Sequence, residues 1–214
     1  MKRTLKSQQG MSLVEATIIL LVLMILTSVL APSIYDFVID AKMVKVKEDC
    51  EAIGVSVVRL VRDVGPCLKY SSNGCTGDNR IDALYSRGTD GSATLLGWPA
   101  TGADMEEQFT TNSHGGNQIY PLPVWRGAYL PSPIGPDPWG TRYGVNVKYL
   151  GEQLMVDPTP TPSQSPQDVD VFCLSAGPNK TYETGFGGNG FGGTTRLGDD
   201  FVFVIGGSQY SRQF

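Results

Sequence analysis

From Ala16 to Tyr35 the chain runs for twenty residues without a charge, most of them Ile, Leu, Val, Met or Ala. At a helical rise of about 1.5 Å per residue this run spans roughly 30 Å, the thickness of a bilayer's hydrocarbon core, and it predicts one transmembrane helix. Pro32 lies inside the segment and cannot donate the hydrogen bond that Ser28's carbonyl would accept, so a kink or local melting is expected near residues 28–32. Beyond it the pattern turns amphipathic. Phe37, Ala41 and Val44, then Cys50, Ile53, Val57, Leu60, Val61 and Val64 recur mostly at three- and four-residue steps. Lys45, Lys47, Glu48, Asp49, Glu51, Arg59 and Arg62 occupy other faces, and Gly65-Pro66 is a stop signal. A helix from Met11 to about Val64 would be about 80 Å long.

About 150 residues follow, enough for one domain with its own core. Ser71-Ser72-Asn73-Gly74, Gly88 to Ser92, Ser113 to Gly116 and Pro131 to Gly140 read as turns or loops, which argues against long helices here. Strands are expected at Tyr143 to Leu150, Val169 to Leu174 and Phe201 to Ile205. The fold class is therefore α+β: a long N-terminal helix packed across a small antiparallel sheet. Asp157 to Asp168 holds four prolines among Thr, Ser and Gln, a composition that buries little apolar area and is expected to loop out between two strands. Gly185 to Gly193 contains the spacing G-x-G-x-x-G, but no strand-turn-helix unit surrounds it, so it is not read as a dinucleotide site.

Lys2, Arg3 and Lys6 are the only basic residues before the apolar run, which places the N-terminus in the cytoplasm and everything after Tyr35 outside. An ordinary secretory signal has an apolar run of about 7 to 15 residues closed by a small-residue cleavage site. Here the run is longer, no A-x-A pattern closes it, and the small residue Gly10 precedes it.

The basic leader followed by Gly10, Met11, Ser12, Leu13 and Glu15 resembles the prepilin-type leaders of type IV pilins and type II secretion pseudopilins. Two further segments extend the resemblance. Asp137-Pro138-Trp139-Gly140-Thr141-Arg142-Tyr143 is similar to the D-P-W-G-x-x-Y segment of major pseudopilins. Ser175-Ala176-Gly177-Pro178-Asn179 and Gly198-Asp199-Asp200-Phe201 are similar to their C-terminal loop, S-x-G-x-D-G followed by D-D-I. Residues 66–120 stay unmatched.

The resemblance implies a pilin-like fold. Residues 1–10 would be a leader peptide, 11–64 the long helix with its transmembrane part at about 16–35, and 65–214 a globular head. It implies cleavage after Gly10 by a prepilin peptidase and N-methylation of Met11. A carboxylate within an apolar span costs about 2.5 to 3.5 kcal/mol at the helix centre and somewhat less toward the interface, so Glu15 calls for a partner. The new Met11 amine would be mostly cationic near neutrality, since an α-amino group ordinarily titrates at about 7.7 to 8.0. In line with the family, Glu15 of one subunit is expected to pair with the Met11 amine of its neighbour.

In the same family the C-terminal loop commonly holds calcium. Asn179, Asp199 and Asp200 are the expected ligands, since Ca2+ takes six to eight oxygens from irregular loops. Asn179 stands where the family usually has Asp, and residues 185–196 lengthen the loop. No organic cofactor is expected.

The four cysteines allow three complete pairings, and sequence does not choose among them. Cys67 with Cys75 is the local candidate; Cys50 with Cys173 would then tie helix to sheet, as suits an oxidising compartment. A zinc site from all four is disfavoured, because there is no C-x-x-C pair. An enzyme is not expected. The sole histidine, His114, sits in a loop-like stretch with no nucleophile motif to serve, and nothing singles out a pair of carboxylates.

The full chain carries a net charge of −4, and loss of the leader's three basic residues would make it more acidic, so no nucleic acid is expected as a partner. The expected function is a structural subunit of a type IV pilus-like or type II secretion filament, held in the bacterial inner membrane and then polymerised into a periplasmic or extracellular filament. Its partners would be identical subunits, the peptidase, the membrane, and the inner-membrane assembly platform with its ATPase. A tip pilin acting as an adhesin or ligand-binding module, and a membrane-anchored enzyme, are the alternatives.

Overall fold

The computed structural model describes residues 12–75, 77–89, 98–99, 102–148, 150, 171–186 and 198–206. The leader with Gly10 and Met11, the proline-rich interval, and all but the first two residues of the glycine-rich interval lie outside the described residues. The chain divides into two compact units, one up to Val44 and the other from Lys45 onward.

The first unit contains the N-terminal part of helix α1 (Leu13–Val64). Large apolar side chains here, including Leu13, Ile18, Leu21, Met24, Leu26, Val29, Ile34 and Phe37, are exposed. Among the described residues α1 is the one helix long and apolar enough to cross a membrane. The helix continues through Pro32, so the expected local melting does not occur. Proline removes one rung of the ladder, and the hydroxyls in the turns before it add bonds of their own. Thr27 Oγ1 donates to the carbonyls of Leu23 at 2.8 Å and Met24 at 3.0 Å, and Ser28 Oγ to that of Ile25 at 2.8 Å.

In the second unit α1 is an element of the core. Val46, Cys50, Ile53, Val57 and Leu60 alternate four- and three-residue steps and are fully buried. The helix ends at Val64, where Gly65 takes φ +92° and donates its N–H to the carbonyl of Val61, as glycine permits.

The stripe faces a five-stranded sheet of β1 (Ala83–Tyr85), β2 (Ala103–Asp104), β5 (Gly144–Asn146), β6 (Val171–Ser175) and β7 (Phe201–Gly206), in the order β2-β1-β5-β6-β7. A π-helical turn (Glu107–Thr111) and the hairpin β3 (Ser113–His114) to β4 (Asn117–Gln118) lie between β2 and β5. The sheet is mixed, not wholly antiparallel as expected: β1 and β2 pair in parallel, while β1–β5, β5–β6 and β6–β7 are antiparallel. A parallel pair needs a crossover of a dozen or more residues, and the stretch between Tyr85 and Ala103 is long enough to provide it. The expected strand at Tyr143 to Leu150 contracts to Gly144–Asn146.

Alternation splits the sheet into two faces. The row Leu84, Val145, Cys173, Phe203 is in register across β1, β5, β6 and β7 and packs with α1. Ala83, Tyr85, Phe172 and Leu174 pack with Trp98, Tyr182 and Phe186 in a second cluster. The Trp98 ring lies against Gly144, where a Cβ would come within 2.8 Å of it, so the strand needs glycine at that point.

Candidate functional site

Asp137 organises the turn that carries Trp139. Its Oδ1 accepts the backbone N–H groups of Trp139 at 3.0 Å and Thr141 at 2.8 Å, while Oδ2 accepts the Ser175 hydroxyl at 2.7 Å. Gly140 completes the turn at φ +93°, donating its N–H to the Asp137 carbonyl at 2.9 Å. Ser175 Oγ in turn accepts the Gly177 N–H at 3.3 Å. The two head segments that the sequence singled out separately therefore form one hydrogen-bonded system.

The loop after β6 and the turn before β7 are pressed together. Gly177, at φ +63°, lies so close to Asp199 that a Cβ would fall 2.4 Å from its carbonyl oxygen. Asp199 Oδ2 accepts the Asn179 N–H at 2.9 Å, and Asn179 Oδ1 accepts the Thr181 N–H at 2.7 Å, an Asx turn within the loop. Asp200 is fully buried, and its Oδ2 accepts the N–H groups of Glu183 at 2.9 Å and Thr184 at 2.6 Å. The Thr184 carbonyl accepts the indole N–H of Trp98 at 2.8 Å, which joins this loop to the aromatic cluster.

Burial pushes the Asp200 carboxyl up to about 6; the hydrogen bonds from Thr184 and Glu183 lower it, while the Glu183 charge raises it. The second oxygens, Asp199 Oδ1 and Asp200 Oδ1, are buried without a hydrogen-bond partner. Leaving an acceptor in that state costs about 1 to 3 kcal/mol, more when it is charged. Two orphaned carboxylate oxygens in an irregular loop are hard donors of the kind Ca2+ takes. Among the described residues no three His, Cys, Asp or Glu side chains form a ready ligand cage.

Cys67 and Cys75 form a disulfide with Cα atoms 6.2 Å apart. Cys50 on α1 and Cys173 on β6 are buried thiols with Sγ atoms 2.8 Å apart, so the helix and sheet meet at these residues without the expected bond. Burial, and then the partner thiol, push the Cys173 thiol up. Beside them Tyr143, the last residue of the tryptophan-turn motif, donates its hydroxyl to Asp49 at 3.0 Å.

Glu15 is exposed in the first turn of α1. His114 is half-exposed in the β3–β4 hairpin, with Nδ1 2.7 Å from Glu107 Oε2 and its ring tilted on Tyr70. Sequence reasoning passed over Glu183, and it did not foresee the roles of Asp137 and Ser175 as capping and bridging groups. An Asp two and four residues before the N–H groups it caps, Trp139 and Thr141, is a legible signal of a side-chain-capped turn. Glu183 had no comparable local signal. No protein-family model, curated protein or solved structure matches this chain.

Proposed function

We propose that this protein is a structural subunit of a type IV pilus-like or type II secretion filament, anchored in the inner membrane before assembly. The observation that carries the reading is the change of character along α1. Up to Phe37 its large apolar side chains are exposed, whereas from Val46 the same helix contributes a buried stripe to the core of a small α+β head. A purely soluble helix would not leave so much apolar surface in water, and a plain anchor would not need to continue as a core element.

In this reading a prepilin peptidase cleaves after Gly10, Met11 is methylated, and Glu15 accepts the charge of the neighbouring subunit's Met11 amine as the chain leaves the membrane. Each subunit exchanges lipid contacts for contacts with other helices. Val55 and Val58, half-exposed on α1 beside a shallow groove lined by Gly54, Phe203 and Ile205, supply apolar surface for contacts between heads. An assembly platform with its ATPase drives extraction.

Calcium belongs to the same reading: bound at the loop, it would neutralise Asp199 and Asp200 and brace the chain entering β7. Asp137 and Ser175 anchor the start of that loop, and Gly177 allows the close approach to Asp199. The work of the protein is assembly, not catalysis.

The test is to shear filaments from expressing cells, image them, and sequence the N-terminus of the main band. Filaments built of a chain beginning at Met11 support the proposal; an uncut chain overturns it. Glu15→Val is expected to be cleaved normally yet absent from filaments, and assembly of this variant at the wild-type level would defeat the pairing of Glu15 with Met11.

A further inference from the structure

Asn179, the residue that sequence alone nominated beside Asp199 and Asp200, has its side-chain oxygen engaged in closing its own loop on the Thr181 N–H at 2.7 Å. A different carboxylate stands at the site. Glu183 Oε2 accepts the Asp199 N–H at 3.2 Å, and the Glu183 N–H donates to Asp200 Oδ2 at 2.9 Å, so Glu183 is bonded to both aspartates, through its side chain to one and its backbone to the other. Its carboxylate rests on Gly198, where a Cβ would fall 1.2 Å from Oε2, and the glycine at φ +62° leaves that space open.

Hydrogen bonds thus link three acidic residues at one loop without forming a ready metal cage among the described residues, and the fully buried Asp200 has one carboxylate oxygen with no partner, as does Asp199. Hydrogen bonding within the loop accounts for the other oxygen of each aspartate, not for these two. A cation bound here would give the orphaned oxygens a partner and offset the repulsion among the three charges.

We propose that Glu183 is a ligand of the cation held by this loop and supplies the third negative charge that Asn179 does not. Resting on the calcium reading above, the inference specifies how this chain binds the ion. Glu183 is only partly buried, and it can turn about its side-chain bonds to close a ligand set that the two aspartates leave open. Affinity in such sites rises with the number of charged ligands, which gives the assignment a measurable consequence.

The test uses the full chain in detergent, stripped with a chelator, with Ca2+ titrated by calorimetry and melting followed with and without the ion. Glu183→Gln keeps an acceptor for the Asp199 N–H and removes only the charge. It is expected to weaken Ca2+ binding roughly tenfold or more. In chelator it should melt at the same temperature as the wild type or higher, because repulsion is relieved. Wild-type protein that binds no Ca2+ overturns this inference together with the calcium reading. Wild-type affinity in Glu183→Gln, in a protein whose binding Asp200→Asn abolishes, overturns the role of Glu183 alone. An equal fall in melting temperature with and without Ca2+ would make Glu183 a structural acceptor only, which also overturns it.

Discussion

Ser175 Oγ donates a 2.7 Å hydrogen bond to Asp137 Oδ2, joining the Trp139 turn to the last residue of β6. Asp137 is almost fully buried and accepts two backbone N–H groups besides, so one carboxylate holds a turn closed and fixes it to the sheet.

Asp137→Ala is therefore expected to destabilise the head by about 3 kcal/mol or more, because it strands buried donors, while Ser175→Ala costs about 1 kcal/mol. Denaturant unfolding of the two variants checks the order. Equal effects would mean that the hydroxyl, not the two N–H groups, dominates.

Gly177→Ala introduces a Cβ at φ +63°, 2.4 Å from the Asp199 carbonyl oxygen. The backbone must shift, at an expected cost of about 1 to 3 kcal/mol. Melting should reveal the loss, and Ca2+ should restore less stability than in the wild type, since Asp199 is displaced. A neutral Gly177→Ala would contradict the close approach.

The buried Asp200 predicts a pH dependence in chelator. Its folded pKa is raised from 3.8 to about 6, so the native state holds the proton more tightly than the unfolded chain. The contribution is fully present below about pH 4 and is lost as pH rises through 6, so this group makes stability fall across that window. Asp200→Asn should flatten the fall, as unfolding measured from about pH 4 to 7 would show. A stability that rises through the window equally in both proteins would contradict the assignment.

Cys50 and Cys173 are expected to resist alkylation in the reduced native chain, since both are buried and burial raises the Cys173 pKa, and to react only on unfolding. Mild oxidation should join them, because the sulfurs are already 2.8 Å apart. The bond would close a long loop and raise stability by up to about 4 kcal/mol. Peptide mapping identifies the pairing; free thiols after complete oxidation would refute it.

Much of the helix was legible in order. Periodicity alone located the stripe Cys50, Ile53, Val57 and Leu60, because a helix puts every third or fourth residue on one side whatever it packs against. It did not show that the buried stripe begins at Val46 and excludes Phe37 and Val44, which are exposed. Burial depends on what lies opposite, and that is set by the sheet.

Strands β6 and β7 were readable as apolar runs, whereas β1 and β2, three and two residues long, are too short to display a period. Their parallel pairing is a consequence of chain return and has no local sequence signal.

At the loop, Asp199 and Asp200 were visible as adjacent carboxylates that repel unless something lies between them. Glu183 was not, because it lies 16 positions before Asp199 and the two meet only in the folded chain. The sequence by itself determined the apolar span, the amphipathic continuation and the acidic turn, which are local consequences of side-chain chemistry and helical period. Tertiary structure alone decided that Glu183 meets Asp199 and that Cys50 meets Cys173, because those are distances between segments far apart in the chain, set by the approach of the turns beside β6 and β7 and by the packing of α1 against the sheet.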